Sequence, residues 1–211
     1  MASTLRDLLI QRAARLQERP ALSAPGWGTL SYAQLRNRAE GVALGLLAAP
    51  GTTPSACFAA TGTPWDWMAE LGAAAAGLIW APEGTLIPLE VLGGPAFNAE
   101  AGRGPYHQRE QTVTDSTLFH GGLTQGDLMH RLARLNQRLG WDHETTHTLA
   151  AEQVGTPTSR AILWSALYAG AHLTLGTAPP QPSARGIRAL FGSAPPPALD
   201  EGFFEGFWDH P

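Results

Sequence analysis

His143-Glu144-Thr145-Thr146-His147 is the stretch whose residue types and spacing most directly suggest chemistry. On a helix, two histidines four residues apart share a face and can hold zinc, while the glutamate between them activates a metal-bound water. The neighbouring residues oppose that use. Gly140 ends the preceding helical pattern, Asp142 could cap only a short helix, and Thr145 and Thr146 are β-branched. A third ligand is also required, and Glu152 and His172 are available without forming a recognisable metal-site spacing. The expectation is no metal and no catalytic residue. His143 and His147 remain the alternative metal pair, and an exposed polar turn is the plainer reading.

His120-Gly121-Gly122 is a second candidate. Glycine allows tight curvature, so that several backbone amides could face an anion. The stretch lacks a Gly-x-x-x-x-Gly-Lys pattern, and an ordinary strand-to-helix turn also fits. All 14 basic residues of the 211 are arginine, which removes the usual phosphate-binding and Schiff-base lysine. With 18 acids the formal net charge is -4, and no basic–aromatic interleaving occurs, so a nucleic-acid partner is not expected. Trp65, Trp67, Trp80 and Trp164 lie in or beside apolar segments and read as core. Cys57 is the only cysteine, expected to be a buried thiol in a reducing cytoplasm. No apolar run is long enough to span a bilayer, and the first helix is amphipathic rather than a leader, so no membrane partner is expected.

The elements that must position these residues read as an α/β pattern. Thr4 to Glu18 is helical, with Thr4 and Asp7 as a capping pair, Leu5, Leu8, Leu9 and Leu16 on the apolar face, and Arg12, Arg15 and Arg19 towards water. Ala21 to Ser23 and Thr29 to Leu30 form a hairpin around Pro25 to Gly28. Ser31 and Gln34 cap a helix carrying Leu35, Ala39, Val42 and Leu46. Ser55 to Ala60, the helix from Thr63 to Ala76 and the run Leu78 to Trp80 have the order strand, helix, strand, one crossover of a parallel sheet. Pro82 to Arg109 reads largely as loop, with a short strand at Leu86 to Val91. Gln111 to Phe119 reads as a strand interrupted by Asp115. Thr124 and Asp127 cap a helix marked by Leu128, Leu132, Leu135 and Leu139. Thr148 to Val154 fits no single element. A helix over Ser159 to Tyr168, ended by Gly170, and a strand over His172 to Leu175 repeat the helix, Ala-Gly, strand arrangement of the central unit. Beyond the proline-rich Thr177 to Gly186 come a strand at Ile187 to Phe191, a turn at Ser193 to Pro197 and a final helix with Leu199, Phe203, Phe204 and Phe207.

The order of these segments resembles the amino-terminal part of the adenylate-forming superfamily, which includes acyl-CoA synthetases and related AMP-dependent ligases. Thr4 to Leu9 resembles the family's opening helix, and Pro20-Ala21-Leu22 with Leu30 to Leu35 and Arg38-Ala39 resembles its opening strand and helix. Glu70 to Leu78 is similar to the next helix and strand. Leu123-Thr124-Gln125-Gly126-Asp127-Leu128 resembles the Leu-Thr-His-x-Asn-Leu segment just past the family's phosphate loop. Ala166 to Ala171 resembles a later helix end, and Gly192-Ser193-Ala194-Pro195-Pro196 resembles the Gly-Gly-Ala-Pro-Leu turn. The resemblance implies an α/β fold, a mainly parallel sheet flanked by helices. It also implies one shortened domain over 1–211 with a subdomain boundary near 82–112.

Departures from the family pattern shape the functional expectation. No Ser/Thr/Gly-rich loop ending in Pro-Lys-Gly precedes Leu123, and Gln125 stands where the family has histidine. The sequence reaches Pro211 before the Tyr-Gly-x-Thr-Glu motif, the ribose-binding aspartate and the lysine-bearing carboxy-terminal domain. The resemblance therefore implies a degenerate, truncated relative without independent adenylation activity and without a cofactor. It would bind an acyl or carrier-linked small molecule through His120, Gly121, Gly122, Thr124 and Gln125 on one side and Gly192, Ser193 and Ala194 on another. Alternatives are a ligase module completed by a partner chain and a homodimeric structural protein.

Overall fold

One helix has no solvent-exposed face from its first turn onward. In the computed structural model, which describes residues 2–48, 55–57, 63–81, 113–150, 154–176, 202–204 and 206–209, every residue from Asp66 to Ala76 of helix α3 (Pro64–Ala76) is buried. Thr63 stands extended at its N-cap, Pro64 opens the first turn, and Gly77 ends it in the left-handed region at φ 69°. The spacing of Trp67, Leu71 and Ala74 or Ala75 predicts a single apolar face; the structure covers all sides. The cause is side-chain size. Four consecutive alanines and Gly72 let neighbouring backbones approach, and a Cβ on Gly72 would lie 2.5 Å from Val42 Cγ1. Val42 belongs to α2 (Tyr32–Ala48), whose Leu35, Ala39, Val42 and Leu46 are all buried as their spacing predicts.

The main sheet has the strand order β2-β1-β8-β7. Strands β1 (Pro20–Ala24) and β2 (Gly28–Ser31) form the expected antiparallel hairpin. Strand β8 (His172–Gly176) joins β1 in parallel through Leu22↔Leu173 and Ser23↔Thr174, pairing segments far apart in the sequence. Strand β7 (Thr146–Ala150) pairs with β8 in parallel along its whole length, and helix α5 (Pro157–Ala169) connects them. A second parallel pair, β3 (Ser55–Cys57) and β4 (Ile79–Ala81), encloses α3 as its crossover. Strands β5 (Leu118–His120) and β6 (Leu123–Thr124) form a tight antiparallel hairpin leading into α4 (Gln125–Leu139). The result is an α/β fold, a mixed, mostly parallel sheet flanked by helices.

Several local readings are refined. Helix α1 (Leu5–Leu16) stops before Glu18, with Gln17 at φ 40°. Arg15 and Arg19 are exposed, but Arg12 turns inward and donates to the carbonyls of Leu167 and Tyr168 at the C-terminus of α5, a favourable site for a cation. The strand expected from Gln111 begins only at Leu118 among the described residues. Thr114 to Thr117 instead fold into a turn, in which the Thr114 N–H donates to Thr117 Oγ1 at 2.9 Å. These short polar side chains satisfy neighbouring backbone groups locally and compete with strand pairing. The segment 82–112, with the expected strand and subdomain boundary, lies outside the described residues. So do residues 177–200, with the predicted strand at 187–191. Of the expected final helix, a 3-10 turn over Gly202–Phe204 is described. The Cys57 backbone is in β3, but its side chain lies outside the description.

Candidate functional site

The β5–β6 hairpin delivers five of the sequence-selected residues to one seam. Gly121 and Gly122 form its turn at φ 54° and 85°, a backbone that side-chain-bearing residues rarely adopt. Both are exposed. The next two residues are tied into the scaffold. Thr124 Oγ1 accepts from the Asp127 N–H at 3.1 Å, and Asp127 Oδ2 accepts from the Thr124 N–H at 2.9 Å, a complete capping box. The backbone and side-chain hydrogen bonds from Thr124 hold the Asp127 carboxyl below its usual range. Gln125 is fully buried; its amide donates to the Ala74 carbonyl at 2.9 Å, and its Oε1 accepts from the Arg6 N–H at 3.4 Å. Gln125 thereby joins α4 to α3 and α1.

His120 faces the interior side of the seam. Its Nδ1 is 3.0 Å from the Trp80 carbonyl, which can only accept, so Nδ1 carries the proton and Nε2 presents a lone pair. Burial lowers its pKa, so the ring is neutral at pH 7. Nε2 looks towards Arg160 Nη1 at 3.5 Å. Arg160 in turn grips Glu70 with two parallel bonds of 2.9 Å, Nε to Oε2 and Nη2 to Oε1, and Trp164 Nε1 adds a third to Oε1 at 3.0 Å. Glu70 is 1% exposed and Arg160 6%. This pair fastens α3 to α5 behind the seam.

Trp208 closes the front. Its ring lies 4.0 Å from the Arg160 guanidinium carbon and meets His120 edge-on with centroids 5.5 Å apart. Its Nε1 donates to the Pro157 carbonyl at 2.8 Å. Glu70, Arg160, Trp164 and Trp208 were not selected from the sequence as site residues. The available signal was a glutamate among the alanines of α3, which demands a buried partner. No spacing rule links it to an arginine 90 residues away. Gly192, Ser193 and Ala194 lie outside the described residues.

The His-Glu-x-x-His segment is not helical. Asp142 Oδ1 accepts from the Glu144 N–H at 2.9 Å and from Thr145 Oγ1 at 3.0 Å, making a turn that leaves His143 exposed. His147 is instead buried in β7, its ring 5.0 Å from that of Trp141, and burial brings its pKa down to about 4. The two histidines therefore do not share a helix face, and the exposed-turn reading holds for His143 alone. Among the described residues, no three potential metal ligands cluster. No described helix is long and apolar enough to cross a membrane.

No protein-family model matches the sequence, and no curated protein matches it. Solved structures do. The artificially fused adenylation–PCP di-domain NRPS NpsA-ThdA from Klebsiella oxytoca is similar over 89% of this chain and 41% of its own, with 15% identity and a TM-score of 0.58. The NpsA N-terminal subdomain from the same organism, in complex with 3-hydroxyanthranilyl-AMSN, is similar over 90% of this chain and 57% of its own, at 17% identity and TM-score 0.57. The fold is that of the amino-terminal part of adenylate-forming proteins. A protein of Rhodopseudomonas palustris CGA009 assigned as a long-chain-fatty-acid CoA ligase also shares this adenylation fold over 82% of this chain and 57% of its own, at 16% identity and TM-score 0.56. This chain thus spans between 41% and 57% of the length of these three proteins.

Proposed function

We propose that this chain is a degenerate adenylation-fold protein that binds an acyl or carrier-linked small molecule and does not form acyl-adenylates by itself. The observation that carries this reading is the seam before α4. Where a triphosphate cradle would require several amides and a lysine, the chain has a two-glycine turn backed by a neutral His120. No lysine occurs anywhere in the 211 residues, and Arg160, the guanidinium that faces His120, already holds Glu70. Transition-state charge in acyl and phosphoryl transfer needs preorganised donors aimed at the developing anion. The described seam supplies none beyond the turn amides.

A ligase module completed by a partner chain is the second reading. It draws on the likeness to an isolated NpsA subdomain that is itself in complex with 3-hydroxyanthranilyl-AMSN. Pyrophosphate exchange across a panel of aryl and alkyl carboxylic acids tests both. The accessory reading predicts no exchange above a no-enzyme control, for the protein alone or mixed with separately expressed carboxy-terminal adenylation domains. Exchange by the protein alone refutes the proposal. Exchange only in the mixture favours the module.

A further inference from the structure

Trp208 is held firmly by the chain before it and loosely by its own side chain. Arg131 Nη1 donates to the carbonyls of Gly206 at 3.1 Å and Phe207 at 2.6 Å, and the Phe207 N–H donates to the Phe204 carbonyl at 3.0 Å. Phe204 and Phe207 are both buried, so the backbone arrives at Trp208 already pinned. The indole itself is half-buried. It has one polar group, the Nε1–H, and this bonds to the carbonyl of Pro157, an exposed residue at the start of α5. Water replaces such an acceptor at little net cost. The ring's other contacts are edge-on to Phe207 at 4.9 Å, edge-on to His120 at 5.5 Å and face-on to the Arg160 guanidinium at 4.0 Å. Rotation about χ1 from one staggered well to another would swing the ring off the seam and leave Phe207 in place. For a partly exposed side chain this is among the fastest of protein motions.

The two groups beneath the ring are incompletely paired. His120 Nδ1 is committed to the Trp80 carbonyl, which leaves Nε2 as an acceptor. The donor facing it among the described residues is Arg160 Nη1, at 3.5 Å, the outer limit of a hydrogen bond. Nε and Nη2 of Arg160 are taken by Glu70, and the indole N–H points away to Pro157. We propose that the Trp208 indole is a swinging cover over this pair, displaced by a ligand whose neutral planar amide donates to His120 Nε2 and accepts from Arg160 Nη1. A primary amide spans a neighbouring donor and acceptor in this way when asparagine reads the edge of adenine. A carboxylate fits less well, because it has no proton to offer Nε2, and the Arg160 charge is already matched by Glu70. The apolar body of the ligand takes the place of the indole against the guanidinium. The choice of ligand rests on the reading of the seam as a site for acyl compounds; the cover does not.

Diethyl pyrocarbonate, which acylates a free imidazole nitrogen, tests the cover without any ligand when each histidine is followed by peptide mass spectrometry. In the wild type, His120 should react at least fivefold more slowly than exposed His143. Trp208→Ala should speed His120 at least fivefold and leave His143 unchanged, while buried His147 stays unreactive and so reports an intact fold. If His147 becomes reactive in that variant, the milder Trp208→Phe, which lacks the Nε1 bond and part of the stacked ring, should still speed His120 at least twofold. Equal reactivity of His120 in the wild type and a folded variant overturns the proposal. Calorimetry tests the ligand: Trp208→Ala should bind benzamide at least fivefold more tightly than the wild type does, and benzamide at least fivefold more tightly than benzoate. Tighter binding of benzoate overturns the donor–acceptor pairing. Exposure of His120 without binding of benzamide, benzoate or octanoate would uphold the cover and overturn the acyl-ligand reading.

Discussion

Arg160→Met removes the cation from a carboxylate that has almost no access to water. Glu70, 1% exposed, would retain only the Trp164 Nε1 bond of 3.0 Å. Breaking a buried pair by deleting one partner costs roughly 3–5 kcal/mol, because the remaining charge stays desolvated. Set against a typical domain stability of roughly 5–15 kcal/mol, that is a large share of the total. The partner deletion Glu70→Leu should cost a similar amount by stranding the Arg160 guanidinium beneath Trp208. The double variant Glu70→Leu/Arg160→Met removes both charges of the pair and loses chiefly the acceptor of Trp164 Nε1, worth roughly 1–3 kcal/mol. It should therefore be more stable than either single variant. Urea unfolding at pH 7, followed by tryptophan fluorescence and circular dichroism, measures all four proteins and the coupling between the sites. An Arg160→Met loss below about 1 kcal/mol would refute the reasoning. A double variant that loses the sum of the two singles would refute it equally.

Gly72→Ala should destabilise by roughly 1–3 kcal/mol despite alanine's better helix propensity, because its Cβ would sit 2.5 Å from Val42 Cγ1; adding Val42→Ala should recover part of the loss in the same urea assay. His147 is held neutral by burial, with a pKa of about 4 against an ordinary 6.5, so the unfolded chain binds the extra proton between those values. Its contribution is fully present above pH 6.5 and is lost as pH falls towards 4, roughly 3 kcal/mol in all. His147→Leu should flatten the pH dependence of the urea midpoint over that window, and an unchanged slope would contradict the assignment. Thr124→Ala should cost about 1 kcal/mol through loss of the α4 cap, while Thr124→Ser retains the parent midpoint.

Where local rules sufficed, the sequence was legible. The Thr124–Asp127 box, the Ser31–Gln34 exchange and the left-handed Gly77, Gly140 and Gly170 are each determined by residues within a few positions. The crossover around α3 followed from the same logic, since a helix closed by glycine and followed by a short apolar run returns to the sheet; the second was legible only from α5 onward, because Thr148 to Val154 fits no single element by its own pattern. The limits appear where distant residues decide. His147 sits in a sequence match to a metal helix, yet pairing with Leu173 of β8 makes that segment a strand. Gln125 looks polar and available, but α3 and α1 approach closely enough to bury it completely. The Glu70–Arg160 pair and the Trp208 cover join segments separated by tens of residues, and no periodicity encodes such a meeting.

Calorimetric titration with magnesium-ATP and with AMP tests the central claim most directly. A two-glycine turn without lysine forgoes several charge-assisted contacts, each worth roughly 1.5–3 kcal/mol, so affinity should fall by orders of magnitude. The account predicts no saturable heat up to millimolar nucleotide. One-to-one binding tighter than about 100 µM, corresponding to more than roughly 5 kcal/mol of binding energy, would contradict it. Weakening of that binding by Gly121→Val or Gly122→Val would identify the seam as a working phosphate site.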